Sequence, residues 1–203
     1  MASTMNDNYL SYEKLGFSYI RNVLDENDIE FIRYRMNAYL SKGVMVPKKI
    51  LMAPEAGNVF DDYVEKLLPV FENYFGINLF PTYSYCRKYL SGSYLLPHTD
   101  RPSCEFTASF TIALEGDSIW PIFLQDNFGN VVESIIYPGD CLMMNGTKLP
   151  HWRLQYVEGK WQMQLFLHYV NANGPNAYLK GDGSNYNTRY GLEILGDEYA
   201  ARN

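Results

Sequence analysis

Two spacings of apolar residues divide this chain. Up to about residue 76 they recur at helical intervals, and from Leu79 they alternate. A strand-like piece at Gly16 to Val23 leads to Asp25, a good N-cap for a helix carrying Ile29, Ile32, Met36 and Leu40 on one stripe, with Gly43 at its end. Residues 44–59 hold Pro47, Pro54 and Gly57 without periodicity, which predicts a loop, either an ordinary connection or an active-site lid. A second helix is expected from Asp61 to Phe75, with Val64, Leu67, Leu68, Phe71 and Phe75 facing a core and Gly76 stopping it.

Beyond Leu79, Tyr83, Tyr85, Arg87 and Tyr89 alternate with Ser84, Cys86 and Lys88, the signature of a strand with two different faces. Further strands are expected at Glu105 to Leu114, Ile119 to Leu124, Val131 to Tyr137, Cys141 to Met144 and Trp161 to Val170, separated by polar, Gly- or Pro-bearing breaks. In the last of these, Gln162, Gln164, Phe166 and His168 share one side with Lys160, and Trp161, Met163, Leu165, Leu167 and Tyr169 share the other. Many short strands preceded by helices predict a mainly β fold, a jelly roll with an N-terminal helical layer. The layer spans about 16–76, the jelly-roll core about 79–170, and the tail 171–203. That tail is rich in Asn and Gly as far as Asn187, has a helical candidate at Leu192 to Ala201, and reads as a surface wrap.

Composition narrows the field. A chain of 203 residues that is 47% hydrophobic suits one compact domain over residues 1–203. A net charge of −6 leaves no basic face for nucleic acid. The odd number of cysteines, Cys86, Cys104 and Cys141, predicts reduced thiols packed as small apolar residues. Met1 to Leu10 lacks the regions of a signal peptide and no apolar run reaches the length of a membrane span, so a soluble cytoplasmic protein is expected.

The candidate chemistry lies in the second half. His98 and Asp100 stand two residues apart, so both point to one side of a strand end, and His151 follows fifty-one residues after the Asp. Two imidazoles and a carboxylate are the donor set that holds Fe(II) on one face and leaves open positions for substrate and O₂. Pro97 and Pro150 place both histidines at turn-like borders of strand-like runs. His168 lies some eight residues along the strand from Lys160 and is expected to be structural. Arg101 and Arg153, next to the ligand segments, are candidates for substrate recognition or ion pairing.

From about Gly16 to Val170 these motifs resemble the Fe(II)- and 2-oxoglutarate-dependent dioxygenases, in particular the prolyl-4-hydroxylase-like group. The stretch from Arg87, Lys88 and Tyr89 through Gly92, Tyr94 and Pro97 to His98, and the turn Tyr137 to Asp140 before the distal His, carry the likeness together with the triad. The resemblance implies a double-stranded β-helix, which is a jelly roll of cupin-like build, with iron on His98, Asp100 and His151. It implies that Tyr89 lines the cosubstrate pocket and that Lys160, nine residues after His151, pairs with the distal carboxylate of 2-oxoglutarate. Gln162 or Gln164 then serves as a further hydrogen-bonding partner of the cosubstrate. The reaction implied is hydroxylation of an unactivated C–H bond in a small-molecule or protein substrate, consuming O₂ and releasing succinate and CO₂. Asp100 favours hydroxylation over halogenation, because halogenating members carry a small residue there. The rival readings are a cupin-like metalloenzyme that does not use 2-oxoglutarate and a non-catalytic jelly-roll binding module.

Overall fold

The computed structural model describes residues 6–40, 55–57 and 59–183. The chain begins with a helix, α1 (Asp7–Leu15), capped by the Asn6 side chain accepting from the Asn8 amide at 2.8 Å. Only Tyr12 of α1 is buried, so its sequence shows no apolar stripe. Strand β1 (Phe17–Ile20) follows, then α2 (Glu26–Leu40), whose first turn is capped by Asp25 Oδ1 accepting from the Asp28 amide at 2.8 Å. Strand β2 (Glu55–Gly57) precedes α3 (Asp61–Phe75), which buries Tyr63, Val64, Leu67, Phe71 and Phe75. At Gly76 the backbone turns left-handed (φ 67°), and its N–H closes on the Glu72 carbonyl at 2.7 Å. The expected helix stop at Gly43, the helical candidate at 192–201 and nearly all of the loop 44–59 lie outside the described residues.

The remaining strands are β3 (Leu79–Leu90), β4 (Leu95–His98), β5 (Phe106–Gly116), β6 (Ile122–Gln125), β7 (Val131–Ser134), β8 (Cys141–Met144), β9 (His151–Arg153) and β10 (Gly159–Asn171). They form two antiparallel sheets, ordered β1-β8-β5-β10-β3-β2 and β4-β9-β6-β7. The fold is the expected double-stranded β-helix with helices on one side.

Alternation gives the larger sheet two chemically different faces. Its outer face, with Cys86, Ala108, Phe110, Ile112, Met143, Met163, Leu165, Leu167 and Tyr169, packs on Ile32 and Met36 of α2 and on the α3 stripe in one continuous core. Its inner face carries Tyr83, Tyr85, Arg87 and Tyr89, then Thr107, Ser109 and Thr111, then Gln162, Gln164, Phe166 and His168. The smaller sheet and its adjoining loops close the barrel, with Ile122, Leu124 and Leu149 in one cluster and Trp120 with Tyr156 in another. All three cysteines are buried thiols outside any disulfide. Among the described residues no helix is long and apolar enough to cross a membrane.

One expectation is corrected here. The segment after β10 is not wholly a surface wrap, because the turns of Ala177–Gly183 pack against β3 and bury Asp182, whose carboxylate pairs with Arg101 at 2.8 Å.

Candidate metal centre

Strands β4 and β9 are too short to show a period in sequence, and their pairing positions the ligands. His98 faces His151 across that ladder, and Asp100 follows in the loop, its amide donating to the Gly146 carbonyl at 2.8 Å. The three side chains offer ligand atoms that all lie within 4.8 Å of one another. Asp100 Oδ1 stands 3.6 Å from His98 Nε2 and 3.7 Å from His151 Nε2.

Both imidazoles are held in one tautomer by the backbone. A carbonyl can only accept, so His98 Nδ1–H donates to Leu96 at 2.9 Å and His151 Nδ1–H donates to Leu149 at 3.0 Å. Each Nε2 is left with its lone pair toward Asp100, the arrangement that a metal-ligating histidine needs. Burial pushes His151 below the ordinary histidine range, so it is neutral and able to ligate at neutral pH.

Gly146 lets the carboxylate sit where it does. A Cβ at this position would lie 2.6 Å from Asp100 Oδ2 and 2.8 Å from both the Cys104 carbonyl and Thr107 Oγ1. No side chain fits without moving the ligand. Gly146→Ala is therefore expected to weaken Fe(II) binding by about ten- to a hundredfold, the usual cost of disturbing a group that holds a ligand in place. A competition titration against a chelator measures it, and an unchanged dissociation constant would show that Asp100 tolerates displacement.

The expected cosubstrate residues do not all reach this chamber. Tyr89 is buried inside the barrel, edge-on to Trp120 at 5.2 Å. Gln164 is buried on the inner face, its Nε2 donating to Thr111 Oγ1 at 2.8 Å while Oε1 has no partner. Lys160 is not brought to the triad: its side chain is 78% exposed and its ammonium pairs with Glu115 at 2.5 Å. The register shifts between Gly159 and Trp161 against β5, which breaks the simple alternation that would have turned Lys160 inward.

A buried cation close to His151 is Arg153. It lies two residues after His151 on the same face of β9 and is 3% exposed, with Nη1 donating to the Trp120 carbonyl at 2.5 Å and the guanidinium over the Trp120 ring at 4.9 Å. Nη2 is buried without a partner, and among the described residues no carboxylate pairs with Arg153. Burial pushes its pKa down to about 10, so it remains charged at neutral pH. A buried charge of this kind is costly unless an anion joins it. Its sequence signal is the His-x-Arg spacing, which puts the cation on the ligand's face. Arg101 instead serves the surroundings, spanning Asp182 and the Tyr83 ring, 4.3 Å from its centroid.

His168 is not part of the triad, yet it is inside the same barrel. Its charge would be felt at His151, and burial pushes its pKa down to about 3 from 6.5. The unfolded chain therefore takes up a proton near pH 6.5 that the folded chain refuses until about pH 3. The stability contribution is complete above pH 6.5 and is lost progressively as the pH falls through that window, at up to about 1.4 kcal/mol per pH unit. Wild type is expected to lose about 2 kcal/mol more than His168→Gln between pH 6.5 and pH 4.5. Urea unfolding at the two pH values measures the difference, and equal losses would place His168 in water.

No protein-family model and no curated protein sequence matches this chain. Solved structures do match it in fold. The non-heme alpha-ketoglutarate-dependent carbocyclase SnoK from nogalamycin biosynthesis superposes with a TM-score of 0.69 at 12% identity, covering 84% of this chain and 85% of that one. A prolyl-4-hydroxylase from Pseudomonas putida gives 0.64 at 12% identity over 80% and 96% of the two chains. HygX from Streptomyces hygroscopicus, solved with nickel and 2-oxoglutarate bound, gives 0.64 at 12% identity over 84% and 89%. The chain has the fold of the Fe(II)/2-oxoglutarate oxygenases.

Proposed function

We propose that the protein is an Fe(II)- and 2-oxoglutarate-dependent dioxygenase that hydroxylates an unactivated C–H bond of a peptidyl or amino-acid-like substrate. The observation that carries this is the triad together with a buried, anion-seeking Arg153 on the face of β9 that His151 occupies. His98, Asp100 and His151 would hold the metal, and their donor set suits Fe(II) with positions left open. Arg153 in place of Lys160 would receive the distal carboxylate of 2-oxoglutarate through Nη2, with Tyr89 and Gln164 lining the way between. Bound iron and cosubstrate supply the oxidising chemistry, with succinate and CO₂ as by-products.

The chain's own residues do the rest. The Leu96 and Leu149 carbonyls fix both imidazoles before anything binds, so no ordering is required at that moment. Gln162 clamps Trp120, accepting from its amide at 2.8 Å and donating to its carbonyl at 3.2 Å, and Trp120 in turn fixes Arg153. The apolar wall of Leu124, Leu142, Met144 and Leu149 limits water on one side of the chamber.

Incubation with Fe(II), ascorbate and 2-oxoglutarate tests the proposal. Succinate is expected above a heat-killed control even without the prime substrate, and more when a panel of peptides and amino acids includes it. Iron bound at one per chain with no succinate from any mixture would favour a cupin-like metalloenzyme that does not use 2-oxoglutarate. Failure to retain iron would favour a binding module.

A further inference from the structure

The loop that carries Asp100 is fastened from a distant part of the chain. On one side, the Asp100 amide donates to the Gly146 carbonyl at 2.8 Å. On the other, the chain runs straight into Arg101, whose Nη2 donates to Asp182 Oδ2 at 2.8 Å and whose Nε donates to the Tyr83 hydroxyl at 3.4 Å. The Asp182 carboxylate also accepts from the Ser103 hydroxyl, so one side chain holds both the residue that opens the turn Pro102–Cys104 and the middle of that turn. The turn is fixed from within as well, the Cys104 amide donating to the Arg101 carbonyl at 2.9 Å and Thr82 Oγ1 to the Ser103 carbonyl at 2.9 Å. The buried Cys104 thiol feels the charges of Asp100, Arg101 and Asp182 alike, which places both carboxylates around the same short loop.

Asp182 gives up a good deal to be there. Its side chain is 3% exposed, and burial raises its carboxyl above the usual range. Its backbone is left-handed (φ 63°, ψ 25°) directly after left-handed Gly181, a conformation that few residues other than glycine adopt. Desolvation and an unfavourable backbone both go toward one set of contacts, those with the loop of Asp100. The carboxylate of Asp100 has little room to adjust by itself, because Gly146 closes on its Oδ2.

We propose that Asp182 is a positioning residue of the metal centre: through Arg101 and Ser103 it holds the peptide that follows Asp100, and with it the ligand carboxylate, in place before the two Nε2 atoms. The inference rests on the metal reading of His98, Asp100 and His151.

Competition between the full-length protein and a chelator for Co(II), whose visible bands report the geometry of its ligands, tests it. Asp182→Asn keeps the shape and removes the charge. It is expected to shift the bands and to weaken Co(II) binding by about tenfold, the lower end of what outer-shell partners contribute. Asp140→Asn removes another buried carboxylate, the partner of Arg21, and is expected to lower the Tm while leaving the Co(II) constant and the bands as in wild type.

Arg101→Gln separates positioning from bare charge. If Asp182 acted only as a nearby anion, removing the Arg101 cation would tighten Co(II) binding. A shared anchor predicts instead that Arg101→Gln weakens it about as much as Asp182→Asn does, and that the double variant binds no worse than the weaker single one. A wild-type constant in Asp182→Asn, equal losses in Asp182→Asn and Asp140→Asn, or tighter binding in Arg101→Gln would overturn the inference and leave the triad standing. Wild-type protein that takes up no Co(II) would overturn the metal reading, and this inference with it.

Discussion

Replacing His98, Asp100 or His151 by alanine, one at a time, is expected to weaken Fe(II) binding by more than about a hundredfold and to abolish succinate release. Losing an outer-shell group already costs ten- to a hundredfold, and a ligand costs more. The three act as one unit because Asp100 Oδ1 lies within 3.7 Å of both Nε2 atoms, so any single loss leaves two donors for the metal. His168→Gln is the control: it removes a histidine from the same barrel and should leave iron at one per chain. Metal analysis after desalting reads all four variants. Full iron retention in His151→Ala with loss in His168→Gln would mean that the triad is wrongly assembled.

Arg153→Met is expected to raise the KM for 2-oxoglutarate by about ten- to a hundredfold while sparing Fe(II) binding, since a hydrogen bond to a charged group is worth about 1.5–3 kcal/mol. Folding should not suffer in parallel. The cation is buried without a carboxylate, so a methionine of similar length removes a desolvation cost and holds or raises the Tm. Lys160→Met is expected to leave the KM within about twofold, because it removes an exposed ammonium paired to Glu115, and such pairs contribute little. Saturation curves for 2-oxoglutarate at fixed Fe(II), with thermal unfolding beside them, measure the split. A raised KM in Lys160→Met with an unchanged curve in Arg153→Met would return the carboxylate to Lys160.

The contrast between these two residues shows what a sequence can carry. The resemblance selects Lys160 by its spacing from His151, and the register shift between Gly159 and Trp161, beside which its side chain lies exposed, is invisible before pairing is known. Arg153, expected from the sequence as a residue for substrate recognition or ion pairing, shares the face of His151 by the shortest-range rule, that residues two apart on a strand point the same way. The same distinction holds for the fold. Helix α3 and strand β8 are found at the residues their patterns predict, Asp61–Phe75 and Cys141–Met144, because a full apolar stripe or an unbroken apolar run has one way to be buried. Helix α1 escapes because it buries one residue and depends on its caps, Asn6 and Gly16. Strands β4 and β9, four and three residues long, escape because only their mutual pairing makes them strands. The ligands they carry were legible all the same, by side-chain type and spacing. Asp182 had no such signal, since its partner Arg101 lies far away in sequence.

The most direct measurement is an anaerobic titration of the Fe(II)-loaded protein with 2-oxoglutarate, followed in the visible region. Chelation of iron by the keto acid at this site predicts a metal-to-ligand charge-transfer band that saturates at one equivalent per chain, is absent in His151→Ala and needs higher 2-oxoglutarate in Arg153→Met. Iron bound at one per chain with no band at any concentration of 2-oxoglutarate would contradict the proposed dioxygenase.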